Sequence, residues 1–596
     1  MLASLVLAGC GGGGGMAPGL TLSLASGTAT AFQGQAAVTV NATLARSGST
    51  GNVTLSVTGL PQGATDTIQS PGAANSGSVA ISAGTAAAGN YPVTIVAGDG
   101  TISSTANLSL TIGAAVVFES GGHAAFSVAM STSFQPAEWD DQFFTLNPQA
   151  STIPDLNNLG PNHIRLQGIS QGVPQGAAGT ASTAWNFSVL DAITQPVLGV
   201  GDHSPEFQIA KAPPFLYQNN DSSQSFLDPT FQDGQFAAYA QNLVQYYNMG
   251  GFTANSTLYV SPAYSQGYKV TYWGIYNEPN INNKMNNDPA EYVAMYNTLV
   301  PAMQLTDSHI KFAALELADF YGQVDAFVPT FVRGVTAHVD VLATHFYSTC
   351  DQTTDDAAIF ASVATSTNGN FNFVTDVQLL YSDMAENPAL AGVPVWVTEN
   401  NVNADYDAGN GISACNGTPF VTDLRGSSPF FAAWRPYVFS ALGKAGIQAL
   451  YHWDYDADQQ FGEVDYNTGA LQLSYWVDSE LAQSFPPSAG SKLLSYIATD
   501  DTELETLPVV NGDGSVVIMV ANHGVNNPTT DNNGPGVERT VLLDVSALGT
   551  FSSASLVTID KTTSASSGPT DTVSTPAAQM TITLNGYSVA FLTLKP

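Results

Sequence analysis

Val270-Thr-Tyr-Trp-Gly-Ile-Tyr-Asn-Glu-Pro279 is a short apolar run that ends abruptly on an amide, an acid and a proline. Val270–Tyr276 reads as a buried strand, and Pro279 forbids its continuation. Downstream, Asp288-Pro289 supplies an N-cap acid followed by proline at the first helical position. Strand, polar turn and helix form the repeating unit of an α/β fold, and the unit recurs on both sides of this one. The other candidate strands are Ala125–Met130, His163–Leu166, Pro196–Val200, Lys311–Ala314, Val339–His345, Pro394–Glu399 and Ala449–Trp453. Helical stretches such as Phe236–Tyr247 separate them. Eight alternations within residues 115–485 predict an α/β domain, a (β/α)8 TIM barrel with long loops. A doubly wound open sheet would carry a Gly-rich phosphate loop after its first strand, and none follows here.

The texture changes on either side of the barrel. Residues 18–114 are rich in Thr, Ser, Val, Ala and Gly and nearly free of charge. Asn52–Val57 and Tyr91–Val96 alternate with a period of two, and Gly and Pro punctuate them, as in Gly59-Leu-Pro-Gln-Gly63. That pattern predicts an immunoglobulin-like β-sandwich, read as a spacer rather than a sugar-binding module. Residues 486–596 return to strands, among them Ser515–Val520 and Tyr587–Leu594, and predict a C-terminal β-sandwich. Asn526–Gly536 reads as an exposed loop. Residues 1–17 begin with an apolar run ending Leu7-Ala-Gly-Cys10, followed by five glycines. This resembles a bacterial lipoprotein signal without the usual basic start, which implies export, lipidation at Cys10 and a flexible Gly tether.

Charge narrows the function. The chain of 596 residues carries 14 Lys and Arg against 48 Asp and Glu, a formal net charge of −34. Such a surface repels nucleic acid and anionic lipid, which leaves a lipid anchor as the expected contact with a membrane. With Cys10 assigned to lipid, Cys350 and Cys415 remain, and an exported compartment lets them pair as a loop-to-loop disulfide or stay as buried thiols. The sequence is silent on oligomeric state.

Barrel enzymes place their working groups at the C-terminal ends of the strands. Read in order, those ends offer Arg165 and Gln167, then Asp202-His203, then Asn277-Glu278, His345 and Tyr347, Glu399, and Trp453. Cleaving a glycosidic bond takes two carboxyl groups, one to protonate the departing oxygen and one to attack the anomeric carbon. Glu278 and Glu399 supply them from opposite sides of the ring. Glu278 is expected to be held protonated by partial burial. Glu399 is expected to be held ionised by donors, Arg165 and Tyr347 foremost.

The ordered set resembles clan A of the glycoside hydrolases, and within it glycoside hydrolase family 39, the family of β-xylosidases and α-L-iduronidase. The likeness runs from about 115 to 500. It rests on Ile164–Gly168, Trp185–Asp191, Tyr276-Asn-Glu-Pro-Asn280, His345-Phe-Tyr347, Trp396-Val-Thr-Glu399 and Ser474-Tyr-Trp476. It implies Glu278 as general acid/base, Glu399 as nucleophile and Asn277 as the partner of the sugar 2-hydroxyl. It further implies Tyr347 and Arg165 as contacts of the nucleophile, His345 beside them, and Trp453 as the stacking platform for the sugar. Gln167 stands where the xylosidase-like members have His, and the strand-three segment around His203 departs from theirs. The resemblance therefore carries the reaction, a retaining double displacement on a carbohydrate, and leaves the sugar open.

The remaining polar residues near the rim have plainer readings. Glu316 is expected to be structural or substrate-binding. His203 with Asp202 and Glu206 matches no metal spacing, so a substrate-contacting loop is expected there, and neither metal nor organic cofactor is implied. Trp185 could line the cleft, Trp273 is expected in the core, and His452 should face away from Trp453. Serine-nucleophile chemistry finds no Gly-x-Ser-x-Gly elbow. A non-catalytic glycan-binding surface protein and a transglycosylase on the same barrel remain as alternatives.

Overall fold

The computed structural model describes residues 18–134, 152–167, 185–200, 205–220, 229–281, 288–318, 327–364, 372–500 and 502–596. Eight strands close into a parallel barrel in sequence order: β1 (Ala129–Phe134), β2 (Ile164–Leu166), β3 (Glu206–Ile209), β4 (Tyr272–Ile275), β5 (Lys311–Leu317), β6 (Val341–Thr349), β7 (Val395–Asn403) and β8 (Ala449–His452), with β8 pairing back onto β1. Helices follow the strands, among them Pro289–Thr306, whose start is capped by the Asp288 side chain accepting from the Glu291 amide at 3.0 Å. Among the described residues no helix is long and apolar enough to cross a membrane.

The N-terminal end of the barrel is plugged. Tyr272, Trp396 and Tyr451 fill it against Ala129, Ala313, Ala343 and Ala449, large rings opposite small side chains. His163 stacks on Trp396 with ring centroids 4.7 Å apart. Packing of this kind makes the interior a floor rather than a pore, so chemistry is confined to the opposite mouth.

Two strands sit elsewhere than the sequence predicted. Pro196–Val200 is not strand three; most of it is the end of the helix Ser188–Leu198, and the strand is Glu206–Ile209. The first strand begins at Ala129 rather than Ala125. Both errors have one cause. Glu206, Gln208, Ser131 and Ser133 are buried polar residues in these strands, so the strands look less apolar than the segments beside them.

Two β-sandwiches flank the barrel, and they share a strand. Ser103–Gly113 of the 16-residue strand Ser103–Phe118 pairs with Gly89–Gly98 and Thr28–Phe32 in the N-terminal sandwich. Ala114–Phe118 of the same strand pairs with Arg539–Asp544 and Tyr496–Ala498 in the C-terminal one. The boundary expected between 114 and 115 therefore falls inside a continuous strand. Its burial changes there too: alternating up to Ile112, nearly continuous after it, as a strand does when both faces become covered.

The C-terminal sandwich is part of the barrel's support. Leu507, Val517, Met519, Val589 and Phe591 from its six-stranded sheet belong to the same buried cluster as the barrel helices. The loop expected to be exposed at 526–536 is exposed over 526–530 and at Pro535 and half-buried elsewhere. Its second half docks on the barrel, where the Asn533 and Gly534 amides each donate to Asp356 at 2.8 Å and Asn532 donates to the Gln352 carbonyl at 2.6 Å. Arg425, fully buried, donates to the Thr354 carbonyl and to Asp423. Cys350 and Cys415 are joined as a disulfide with their Cα atoms 5.9 Å apart. The loops after β6 and β7 are thus tied to each other and to the sandwich.

Candidate active site

Carboxyl groups converge at the C-terminal mouth. One oxygen each of Glu278 and Glu399 and one ring nitrogen of His345 lie within 4.8 Å of one another. Glu278 comes from the turn after β4 and its side chain is 24% exposed, whereas Glu399, on β7, is 6% exposed. One carboxyl faces the opening and the other lies at the bottom of the site.

The backbone around them is strained. Of the non-glycine residues with positive φ, Tyr276 (72°), Glu278 (45°), Leu315 (79°) and Glu316 (48°) stand at the ends of β4 and β5. Each such residue costs on the order of 1–3 kcal/mol and persists only where its surroundings fix it. The fixing is visible. The Tyr276 and Asn277 amides donate to the Ile209 and Ala210 carbonyls at the end of β3, and the Glu278 amide donates to the Glu316 carbonyl at 2.8 Å.

Two bulges aim the acids. In β5, Leu315 pairs with Ala343 and Leu317 with Thr344, leaving Glu316 unpaired. In β7, Val397 pairs with Thr344 and Glu399 with His345, leaving Thr398 unpaired. A strand normally sends neighbours to opposite faces, and a bulge lets two consecutive side chains share one. Thr398 and Glu399 do so: Thr398 donates to Glu316 Oε2 at 2.8 Å, and Glu399 accepts from Arg165 at 3.0 Å.

Arg165 is fully buried on β2 and spans the site. Its Nη1 donates to Glu399 Oε1 and to Gln167, and its Nη2 to Glu316 at 3.0 Å and Asn277 at 3.3 Å. Tyr347 donates to the other oxygen of Glu399 at 2.8 Å. His345 Nδ1 lies 2.9 Å from Glu278 Oε1 and 3.4 Å from Glu399 Oε2, and its Nε2 lies 3.4 Å from Glu316. Trp453 closes one side, its indole donating to Gln167 at 3.0 Å. Asn277 Oδ1 also accepts from Gln208 at 2.8 Å.

Arg165, Asn277, Glu278, His345, Tyr347, Glu399 and Trp453 are thus brought together, while His203 and Cys10 lie outside the described residues. Trp273 is in the core as expected, against Phe207. Trp185 also packs inside, stacked on Phe187 and Tyr239, and does not line the mouth. His452 turns away, to Asp478 at 2.8 Å. Sequence reasoning missed Gln208 and Thr398 and gave Glu206 only a loop role. The signal for the β3 pair was the alternation Glu-Phe-Gln-Ile at 206–209.

The electrostatics follow from burial and neighbours. Burial raises the Glu399 carboxyl above its ordinary value, and His345, Arg165 and Tyr347 pull against it without overturning it. Arg165 and Tyr347, the donors expected from the sequence, both act in favour of the ionised form. Burial, then the charge of Glu316, pushes Glu206 well up. Burial opposes ionisation of Glu316 too, but Arg165 and His345 bring it below the usual carboxylate range.

Burial lowers His345, yet Glu399, Glu278 and Glu316 raise it from 6.5 to about 9. A raised histidine gives stability that is fully present below the unfolded value and lost as pH rises through the folded one. Wild-type stability should therefore decline from near neutrality through about pH 9, and His345→Gln should flatten that decline in denaturant titrations taken across the range.

Gly274 in β4 makes room for the acids. A Cβ there would stand 2.8 Å from Glu316 Oε1 and 2.9 Å from Glu206 Oε1 and Gln208 Cγ. Gly274→Ala should destabilise the protein by about 1–3 kcal/mol, read as a lowered denaturant midpoint.

No family model matches the sequence, and no curated protein resembles it closely enough to count as a match. Solved structures do. The chain is similar to the GH39 enzyme from Xanthomonas axonopodis pv. citri at 14% identity, over 81% of this chain and 97% of that one, with a TM-score of 0.54. It is similar to a glucosidase from Croceicoccus marinus at 13% identity, over 81% and 99%, with a TM-score of 0.52. It is similar to the GH51 arabinofuranosidase from Xanthomonas axonopodis pv. citri at 12% identity, over 81% and 100%, with a TM-score of 0.53. At these identities the likeness establishes the fold, a (β/α)8 barrel with flanking β-domains.

Proposed function

We propose that this protein is a retaining glycoside hydrolase with Glu399 as nucleophile and Glu278 as general acid/base. The observation that carries the reading is the approach of the two carboxyl groups, with an oxygen of each within 4.8 Å. Retaining enzymes hold the pair about 5–5.5 Å apart, whereas inverting enzymes leave about 6.5–9.5 Å for a water. The solved structures to which the chain is similar, a GH39 enzyme, a glucosidase and a GH51 arabinofuranosidase, support the same reading.

In the first step a Glu399 oxygen bonds to the anomeric carbon as the bond to the leaving oxygen breaks, and Glu278 gives that oxygen its proton. In the second step Glu278 takes a proton from water, the water oxygen bonds to the anomeric carbon, and Glu399 leaves as carboxylate. Arg165 and Tyr347 each hold one oxygen of Glu399, which fixes the line of attack. Asn277 is placed for the sugar 2-hydroxyl and Trp453 for the sugar face. Around this centre, an immunoglobulin-like spacer and a lipid anchor at Cys10 would hold the enzyme at the cell envelope.

The test is a cleavage screen of protein lacking residues 1–17 on aryl xylosides, glucosides, arabinosides and uronides and on plant and bacterial polysaccharides. Activity that disappears in Glu399→Gln supports the reading and names the sugar. Activity that survives the substitution intact refutes the assignment. Glycan binding without cleavage would favour a binding-only protein, and product sizing at high acceptor concentration separates transfer from hydrolysis.

A further inference from the structure

We propose that Glu316 is the positioning residue of this site: from one buried carboxylate oxygen it anchors Arg165 and His345, so that each turns its other nitrogen to the Glu278–Glu399 pair. The proposal rests on the glycosidase reading for its kinetic consequence, but its structural core stands apart from it.

Glu316 Oε2 is a three-way hub. It accepts from Thr398 Oγ1 at 2.8 Å and Arg165 Nη2 at 3.0 Å, and lies 3.4 Å from His345 Nε2. Two arms leave it. Arg165 ends on Glu399 Oε1 at 3.0 Å through Nη1. His345 ends on Glu278 Oε1 at 2.9 Å and Glu399 Oε2 at 3.4 Å through Nδ1. No other described carboxylate outside the pair touches both arms' donors at the distances given.

The chain incurs cost to place this acid. Glu316 is fully buried and sits at φ 48° beside Leu315 at φ 79°, in a bulge that serves no ladder pairing. Gly274 and Glu206 surround its second oxygen. Strain and a buried charge gathered at one residue point to a role beyond packing, because an apolar side chain would fill the same volume without either cost.

The reaction needs such an anchor. As the glycosyl ester forms, Glu399 loses its negative charge and Glu278 gains one. A histidine whose Nδ1 faces both carboxyls can serve whichever is charged, provided its ring stays protonated and does not turn. Glu316 fixes the ring through Nε2 and joins Glu399 and Glu278 in favouring its protonated form. The charged or titratable groups around the hub, among the described residues, are Arg165 on β2, Glu206 on β3, Glu278 after β4, Tyr292 on the helix Pro289–Thr306, His345 and Tyr347 on β6, Glu399 on β7 and Tyr451 on β8. Burial and the charge of Glu316 push the Glu206 carboxyl well up, and Glu316 is the carboxylate that meets the Nε2 side of His345, at 3.4 Å.

The experiment compares full-length wild type, Glu316→Gln and Glu316→Asp. His345 is followed by NMR of ring-labelled histidine, its signal assigned by loss in His345→Gln, and kcat and KM are measured on the substrate found by the screen. In Glu316→Gln, His345 should lose its proton roughly one to two pH units lower, and kcat should fall about a hundredfold with KM within about threefold. Glu316→Asp keeps the charge for Arg165 and so the fold. It should return His345 to its wild-type titration and recover about tenfold or more of kcat over the Gln form. Should the Gln form fail to fold, the Asp form alone must keep the wild-type titration while losing about tenfold in kcat. An unchanged His345 titration in Glu316→Gln overturns the proposal, whatever happens to melting or rate. So does an unchanged kcat in both variants. If wild type cleaves no glycoside, the glycosidase reading fails, and the His345 titration still decides what Glu316 does.

Discussion

Glu399→Gln is expected to lower kcat by about ten-thousandfold or more, with the protein still folded. The amide keeps the size of the carboxyl but cannot form the ester, so the double displacement has no first step. Burial already raises this carboxyl, so removing its charge relieves a desolvation cost while it loses hydrogen bonds from Arg165 and Tyr347. Stability should therefore change little beside the change in rate. Glu278→Gln should behave differently. On substrates whose leaving group needs no proton, its first step should be largely preserved and only hydrolysis of the ester should slow. Steady-state and burst kinetics on activated and unactivated aryl glycosides separate the two. Equal losses in both variants on both substrates would contradict the assignment of roles.

Arg165→Met is expected to destabilise the protein by about 3–5 kcal/mol at neutral pH. Arg165 is the cation that touches both Glu316 and Glu399, each at 3.0 Å. Removing it leaves two acids in the barrel with, among the described residues, His345 for charge compensation. The sign with pH is fixed by Glu316, whose value is lowered in the fold. Its contribution is present above the unfolded carboxylate value and is lost as pH falls through the folded one. The penalty in Arg165→Met should thus be largest near neutrality and shrink on acidification. Denaturant midpoints measured against pH test this. A loss under about 1 kcal/mol, or one independent of pH, would contradict a charge role for Arg165.

Much of this site could be read from the chain because a parallel barrel presents its chemistry at the ends of its strands. Asn277-Glu278, His345-Phe-Tyr347, Glu399 and Trp453 each follow an apolar run, and the barrel order brings them to one mouth. What escaped the sequence was the polar interior. Glu206 and Gln208 point into the barrel from β3 and break the apolar run that marks a strand, while Val197 and Leu198 in the preceding helix imitate one. The bulges at Glu316 and Thr398 escaped for a different reason, since they are mismatches of register between strands and leave no mark on either strand alone. The shared strand Ser103–Phe118 did leave a mark: its alternation stops at Gly113 and Ala114-Ala-Val-Val-Phe118 follows, the pattern of a strand covered on both faces. That signal places the join of the two sandwiches within a strand rather than in a linker.

The most direct test of the mechanism is to trap its intermediate. Purified wild-type protein is incubated with the 2-deoxy-2-fluoro glycoside of the sugar named by the screen, carrying an activated leaving group, and the adduct is mapped by mass spectrometry of the digested chain. A retaining mechanism through Glu399 predicts the fluoro-sugar as an ester on the peptide containing Glu399, absent in Glu399→Gln. An adduct on a different carboxyl, or a natural substrate released with inverted anomeric configuration, would contradict it.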